Sequence, residues 1–319
     1  MQTSVSAHTV GKTSGRTLQA GISLLILTGC VLLLIHSEGV ITAAMGALRV
    51  CYASLIPALL PAMILCELLF ALGDASLLYR LPGIPFAKLF RLPGTGCLAF
   101  LCGLLFGFPT GAKIVCDLRE SGSLSKAEAE RLLQFANNTG PAFVVAGVGV
   151  GLRHSLREGV ILLSAQLCAV MLYGVLLGRF VPRPSSESAV RKISPSGKGL
   201  GDIFRDSTFS VLGVCGCVLF FSVLLEILEW LLPFPYAAPI LGALLEVGSA
   251  CALLAGTPEA FALPLTAFAI TFGGLSVAVQ SAPYRKRIGL SPLRYLGSKL
   301  VQGMLAAGFC VLFCLLCGA

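Results

Sequence analysis

Two apolar runs that stop short constrain this chain more than anything else in it. Residues 94–152 read GTGCLAFLCGLLFGFPTGAKIVCDLRESGSLSKAEAERLLQFANNTGPAFVVAGVGVGL. One run breaks at Gly107-Phe108-Pro109-Thr110-Gly111 and the other at Asn137-Asn138-Thr139-Gly140-Pro141, with a charged segment between them. In a bilayer a helix satisfies its own backbone, so an interruption frees polar groups that only protein, water or a ligand can partner. Such runs point to discontinuous membrane helices around a buried polar site.

The composition agrees. The chain is 56% hydrophobic and 12% charged, with a mean hydropathy of +0.90, whereas soluble domains carry about 25% charged residues. Its 36 glycines and 17 prolines favour broken helices over a plain bundle. The net charge of +8 sits in short inter-helix loops, so it reports topology and not nucleic-acid binding. Most of the 13 cysteines lie inside apolar runs and read as small hydrophobes. Cys310, Cys314 and Cys317 share a helical face, but no histidine or carboxylate is near them in sequence, so packing is favoured over a metal site. The histidines are His8, His36 and His154. They assemble no catalytic set, no phosphate-binding loop is present, and neither enzyme chemistry nor a cofactor is expected.

In order, a polar tail precedes an apolar run, Leu18 to Ile35, taken as a retained leading helix with a signal peptide as the rival reading. Val40 to Leu72 reads as a long helix kinked at Pro57 and Pro61. Gly94 to Phe108 is fifteen residues, about 22 Å of helix against a core of about 30 Å. It reads as a re-entrant hairpin turning at 108–111. Ser125-Lys126-Ala127-Glu128 is a capping box opening a helix that breaks at 137–141 before continuing to Leu152. Val160 to Val181 is a plain span. After the basic 182–201 linker the order recurs: a long helix (Asp202 to Leu232), a hairpin interrupted at Glu246-Val247-Gly248-Ser249, a span broken at Gly273-Gly274, and a last plain span, Leu293 to Cys317.

With residues 1–16 in the cytoplasm, the basic or charged segments 73–93, 119–131, 182–201 and 284–294 all fall inside. The outer loop with Arg153 and Arg157 is the exception. The fold class predicted is therefore an all-α polytopic membrane protein with inverted repeats, two re-entrant hairpins and broken transmembrane helices. It divides into a tail and leading helix (1–38), a first repeat (39–181), a cytoplasmic linker (182–201) and a second repeat (202–319).

The expected site is a polar pocket shared by both hairpin tips and both breaks, lined by Pro109, Thr110, Asn138, Thr139, Glu246, Ser249, Gly274 and Ser276. Unpaired N–H groups at a half-helix starting at Pro141 would favour a polar or anionic group beside Asn137, Asn138 and Thr139. The plain alternative is that these side chains cap neighbouring backbone. Glu246 costs about 2.5–3.5 kcal/mol on insertion scales, and is expected to meet a cation, a proton or a polar solute. Its alternative is an ion pair with Lys113 across the hairpins. Glu67 and Glu226 occupy matching places in the long helices and are expected to bond the hairpin tips. Gln280 is a weaker candidate, with snorkelling as its alternative. Glu128, Glu130 and Arg131 read as a solvated face. The partners implied are the bilayer, a small polar solute and a coupling proton or sodium ion. A non-transporting scaffold is the second reading.

Gly107-Phe108-Pro109-Thr110-Gly111-Ala112-Lys113, Asp117-Leu118-Arg119, Asn137-Asn138-Thr139-Gly140-Pro141 and Gly273-Gly274-Leu275-Ser276-Val277 resemble the YlbJ type of sporulation integral membrane protein, within the nucleoside-recognition (Gate) domain superfamily. The resemblance covers roughly residues 40–318 and implies two Gate-like repeats in a transport-like, two-hairpin fold. Because the superfamily includes concentrative nucleoside transporters and ferrous-iron transport proteins, a nucleoside-like or anionic solute is in view. The sporulation branch implies a need in endospore formation and membrane partners there, a homo-oligomer among them, without naming a substrate.

Overall fold

The computed structural model describes residues 5–72, 80–180, 199–233, 236–258 and 260–317, and every regular element among them is a helix. Most of the expected linker 182–201, Ser186 with it, and the start of the 73–93 loop lie outside the described residues.

Helices α1 (Val5–Ile35) and α2 (Ser37–Val50) meet at His36, with a bend of 93°. One wide, π-type turn (Cys51–Leu55) then leads into α3 (Ile56–Leu72), which contains Pro61. The wide turn directly precedes Pro57, whose ring and missing N–H disfavour a regular turn there. After α4 (Gly83–Phe90) come α5 (Gly96–Phe106) and α6 (Thr110–Glu120), which pack on each other as a hairpin. Helix α7 (Lys126–Ala136) follows. Its capping box is formed as expected: the Ser125 hydroxyl accepts from the Glu128 N–H at 3.3 Å, and the Glu128 carboxylate accepts from the Ser125 N–H at 2.7 Å.

The chain leaves helical geometry at Asn137 and resumes after Pro141 as a wide-turned helix, Ala142–Leu152. Helix α8 (Leu156–Phe180) completes this part. Then come α9 (Leu200–Leu231), the short pair α10 (Ala237–Leu245) and α11 (Val247–Ala255), and α12 (Ala262–Phe272) with α13 (Gly274–Gln280). Helices α14 (Ala282–Ile288) and α15 (Pro292–Cys317) end the chain. Between α12 and α13 both Gly273 and Gly274 take left-handed φ, 82° and 73°, a conformation that favours glycine.

By length and apolarity, four helices among the described residues qualify as membrane spans: α8, α9, the α12–α13 stretch and α15. A fifth is added if α1 and α2 form one bent span. Three other apolar helices, Leu59–Leu69, Gly96–Phe106 and Ala142–Leu152, are shorter, the last two being cut by the turn at 107–109 and the break at 137–141.

Two of the five hydrophobic clusters that the described residues form are the largest. One is aromatic, with Phe86, Phe90, Phe100 and Phe135 stacked or tilted at ring distances of 4.8–5.9 Å between α4, α5 and α7. The second gathers Val148, Leu162, Cys251, Ile270 and Cys310 from five segments. Helix α9 packs along α2 and α3, and α15 lies against α8 and α12. The described cysteines are free thiols. Among the described residues no group of three or more potential metal ligands is found.

Candidate functional site

All four interruptions of the chain meet. The backbone of Gly107, at the tip of the α5–α6 hairpin, lies against Gly140 in the first break: a Cβ there would stand 3.0 Å from the Gly140 nitrogen. Next along that tip, the Phe108 ring reaches Gly273 in the second break, 3.1 Å from where a Cβ would sit. Gly274 lies on the α10–α11 tip, its would-be Cβ 2.7 Å from the Leu245 carbonyl and 3.1 Å from the Glu246 nitrogen. Thr139 Oγ1 donates to the Ile270 carbonyl and ties the breaks together directly. Only glycine permits these approaches, because a side chain would fill the contact.

The side chains at this junction are polar and buried. Asn137 Nδ2 donates to Ser281 Oγ and Tyr295 Oη, both at 2.9 Å. Asn138 Nδ2 donates to the Phe135 carbonyl at 2.7 Å, and Gln166 Nε2 donates to the Thr139 carbonyl at 2.8 Å. Four of the buried atoms that lack a hydrogen-bond partner belong to residues in or next to the interruptions: Thr110 Oγ1, Asn137 Oδ1, Thr271 Oγ1 and Ser276 Oγ. An unmet buried hydroxyl or amide costs about 1–3 kcal/mol, so four beside the interruptions mark unused binding capacity.

Glu246 is the extended residue between α10 and α11. Its Oε2 accepts the Ser249 N–H at 2.6 Å, so the carboxylate caps α11. The alternative ion pair between Glu246 and Lys113 is not made: Lys113 pairs with Glu67 of α3 instead. The hairpin carrying Lys113 packs on α3, which puts Glu67 within closer reach. Glu67 therefore does bind near a hairpin tip, as expected, but Glu226 does not. Its Oε1 lies 2.9 Å from His36 Nε2, and the His36 ring stacks on Trp230 at 4.8 Å. The bend between α1 and α2 delivers His36 to that position on α9. Ser249 shares a 3.1 Å hydroxyl contact with Ser222. Gln280 is half-buried at the end of α13. The solvated face expected of α7 is also corrected: Glu128 and Arg131 are buried. The capping box engages Glu128, and Arg131 Nη2 donates to the Phe90 carbonyl at 3.1 Å.

One buried side chain at the junction escaped the sequence reading. Lys299, in the supposedly plain last span, is 1% exposed. Its ammonium donates to the Asn137 carbonyl, to Asn138 Oδ1 at 3.2 Å and to Gln302 Oε1 at 3.4 Å. Tyr295, Lys299 and Gln302 fall at i, i+4 and i+7, one face of a helix, and that spacing was the available signal. A groove of ≈ 540 Å³ lies elsewhere, lined by apolar residues of α10, α12 and α15 such as Ile240, Phe268 and Met304.

The chain is similar to the sporulation integral membrane protein YlbJ of Bacillus subtilis (strain 168), at 28% identity over an alignment of 341 residues. That alignment covers 93% of this chain and 82% of the relative. The resemblance to the YlbJ type drawn from the motifs is thus shown across nearly the whole chain. No family profile matches the chain, and no solved structure matches it.

Proposed function

We propose that this multi-pass membrane protein binds a small polar solute where its four interruptions meet, and carries it across the bilayer in support of endospore formation. One observation carries the reading: hairpin tips and helix breaks converge on buried polar atoms that no described residue satisfies. Broken helices around a buried polar site are how secondary transporters build their binding sites. Hydroxyls, amides, one carboxylate and one ammonium suit a neutral or anionic solute of nucleoside-like size. A proton or sodium ion is the coupling species in this proposal, and other copies of the chain or sporulation membrane proteins are its partners.

The same proposal takes residues 39–181 and 202–319 as inverted Gate-like repeats, with two re-entrant hairpins and the N-terminus in the cytoplasm. Ion pairs support part of it. Arg287 pairs with Glu120, and Arg294 approaches Glu130 to 3.7 Å, so segments 119–131 and 284–294 stand side by side at one surface. Arg153, the basic exception outside, is bound to Glu158 and to the Leu254 carbonyl. Single-cysteine labelling tests the scheme: Ser186→Cys and Ser291→Cys should both react only with a reagent admitted to the cytoplasm. Reaction from opposite sides would remove the inverted arrangement.

A scaffold that transports nothing is the second reading. It is favoured by charges that the chain satisfies internally, Glu246 on Ser249 and Lys113 on Glu67. Glu246→Gln separates the two, since the amide oxygen still caps α11 while the charge is gone. Transport predicts normal protein levels but a loss of heat-resistant spores of tenfold or more when the variant replaces YlbJ in Bacillus subtilis, with this chain itself restoring sporulation. Spore counts equal to those given by this chain, at equal protein level, would leave the scaffold standing.

A further inference from the structure

We propose that the first helix break is a binding site for a small monovalent cation, and that this chain fills it with its own lysine. Three oxygens face the Lys299 ammonium: the Asn137 carbonyl, Asn138 Oδ1 and Gln302 Oε1. An ammonium has three N–H donors and no acceptor, so donors and acceptors match one to one.

The cage is built, because each side-chain oxygen is aimed by its own amide. Asn138 Nδ2 is anchored on the Phe135 carbonyl at 2.7 Å. Gln302 Nε2 is anchored on the Gln134 and Ser298 carbonyls at 2.8 and 2.9 Å. The site also closes the C-terminal end of α7, where the unpaired carbonyls and the negative end of the helix dipole favour a cation. No carboxylate lies within ion-pairing distance of Lys299 among the described residues. Its charge is held by neutral oxygens alone, as a bound metal or ammonium ion in a broken membrane helix would be. The tethered amine occupies all three oxygens, so sodium has no vacancy at this break. This inference concerns the break itself and stands whether or not the junction passes a solute.

The test measures thermal unfolding of the full chain in detergent, wild type against Lys299→Ala. Both are run in ammonium, methylammonium, sodium and choline chloride at equal ionic strength. The variant should melt about 5 °C or more below wild type in choline, and recover at least half of that in ammonium or methylammonium, which fill the emptied cage. Wild type should melt alike in all four. Uniform destabilisation of the variant across the salts would overturn the site. So would wild-type stability in the variant without added cation, or a sodium-dependent gain in the wild type. If Lys299→Ala does not accumulate, Lys299→Gln supplies N–H donors without the charge. A lower melting temperature than wild type then supports the site, and parity overturns it.

Discussion

Gly111→Ala should abolish accumulation of folded protein, although it adds one methyl group to a helix. A Cβ at Gly111 would overlap the Ala136 carbonyl oxygen, and one at Gly103 would overlap the same atom from the other limb of the hairpin. The three segments close on that oxygen, and both Cβ positions lie 3.0 Å from the opposite glycine's Cα. Backbone blocks backbone there, so no rotamer relieves the clash and the α5–α6 hairpin must part from the end of α7. We expect a loss of about 3 kcal/mol or more, at the upper end for overpacking. Gly213→Ala and Gly216→Ala are the controls: each added methyl meets nothing within 4 Å, and alanine favours the helix by up to about 1 kcal/mol. Membrane accumulation and detergent melting of the four proteins decide the matter. A Gly111→Ala protein that behaves like the Gly213→Ala control would show that the hairpin is not seated on α7.

The second large effect is expected at the Glu67–Lys113 pair, which joins α3 to the first turn of α6. Glu67 is 7% exposed, so Glu67→Ala breaks a largely buried ion pair, at a cost of about 3–5 kcal/mol. Lys113→Met breaks the same pair from the other side at a similar cost. Replacing both with Glu67→Leu and Lys113→Met removes the charges together and should restore most of the loss, since buried pairs exchange for apolar residues almost neutrally. A double variant as damaged as the two single losses added together would mean the residues act independently.

The interruptions were legible in the sequence because their chemistry is local. Gly, Pro and Asn inside apolar runs have few conformational uses, and the structure departs from helix at 107–109, 137–141, 246 and 273. The capping box at Ser125 could be read for the same reason. What stayed hidden depends on distant partners. Glu226 and His36 are 190 residues apart, and the likeness of Glu226 to Glu67 concealed that a leading helix brings the histidine. Lys299 was masked by its surroundings, since one lysine hardly lowers the average hydropathy of a 26-residue helix. Hydropathy shows where a segment resides, whereas the face carrying Tyr295, Lys299 and Gln302 shows what it touches. The wide turn at 51–55 stands where Pro57 had marked a kink, whereas the wide-turned course of 142–152 has no such local signal.

The bend at His36 sets α1 apart from everything after it. Helix α1 packs chiefly on the neighbouring α2, and Leu24, Leu25, Ile26, Leu27 and Leu34 stand open around its circumference. Past the bend, the polar tie is the clasp of His36 on Glu226 above the Trp230 ring. Such a helix is an outrigger: its described apolar side chains are mostly left uncovered by the rest of the protein. Movement of α1 would therefore reach the bundle through two described features near the bend, its packing on α2 and the clasp of His36 on Glu226, both far in sequence from the breaks at 137–141 and 273.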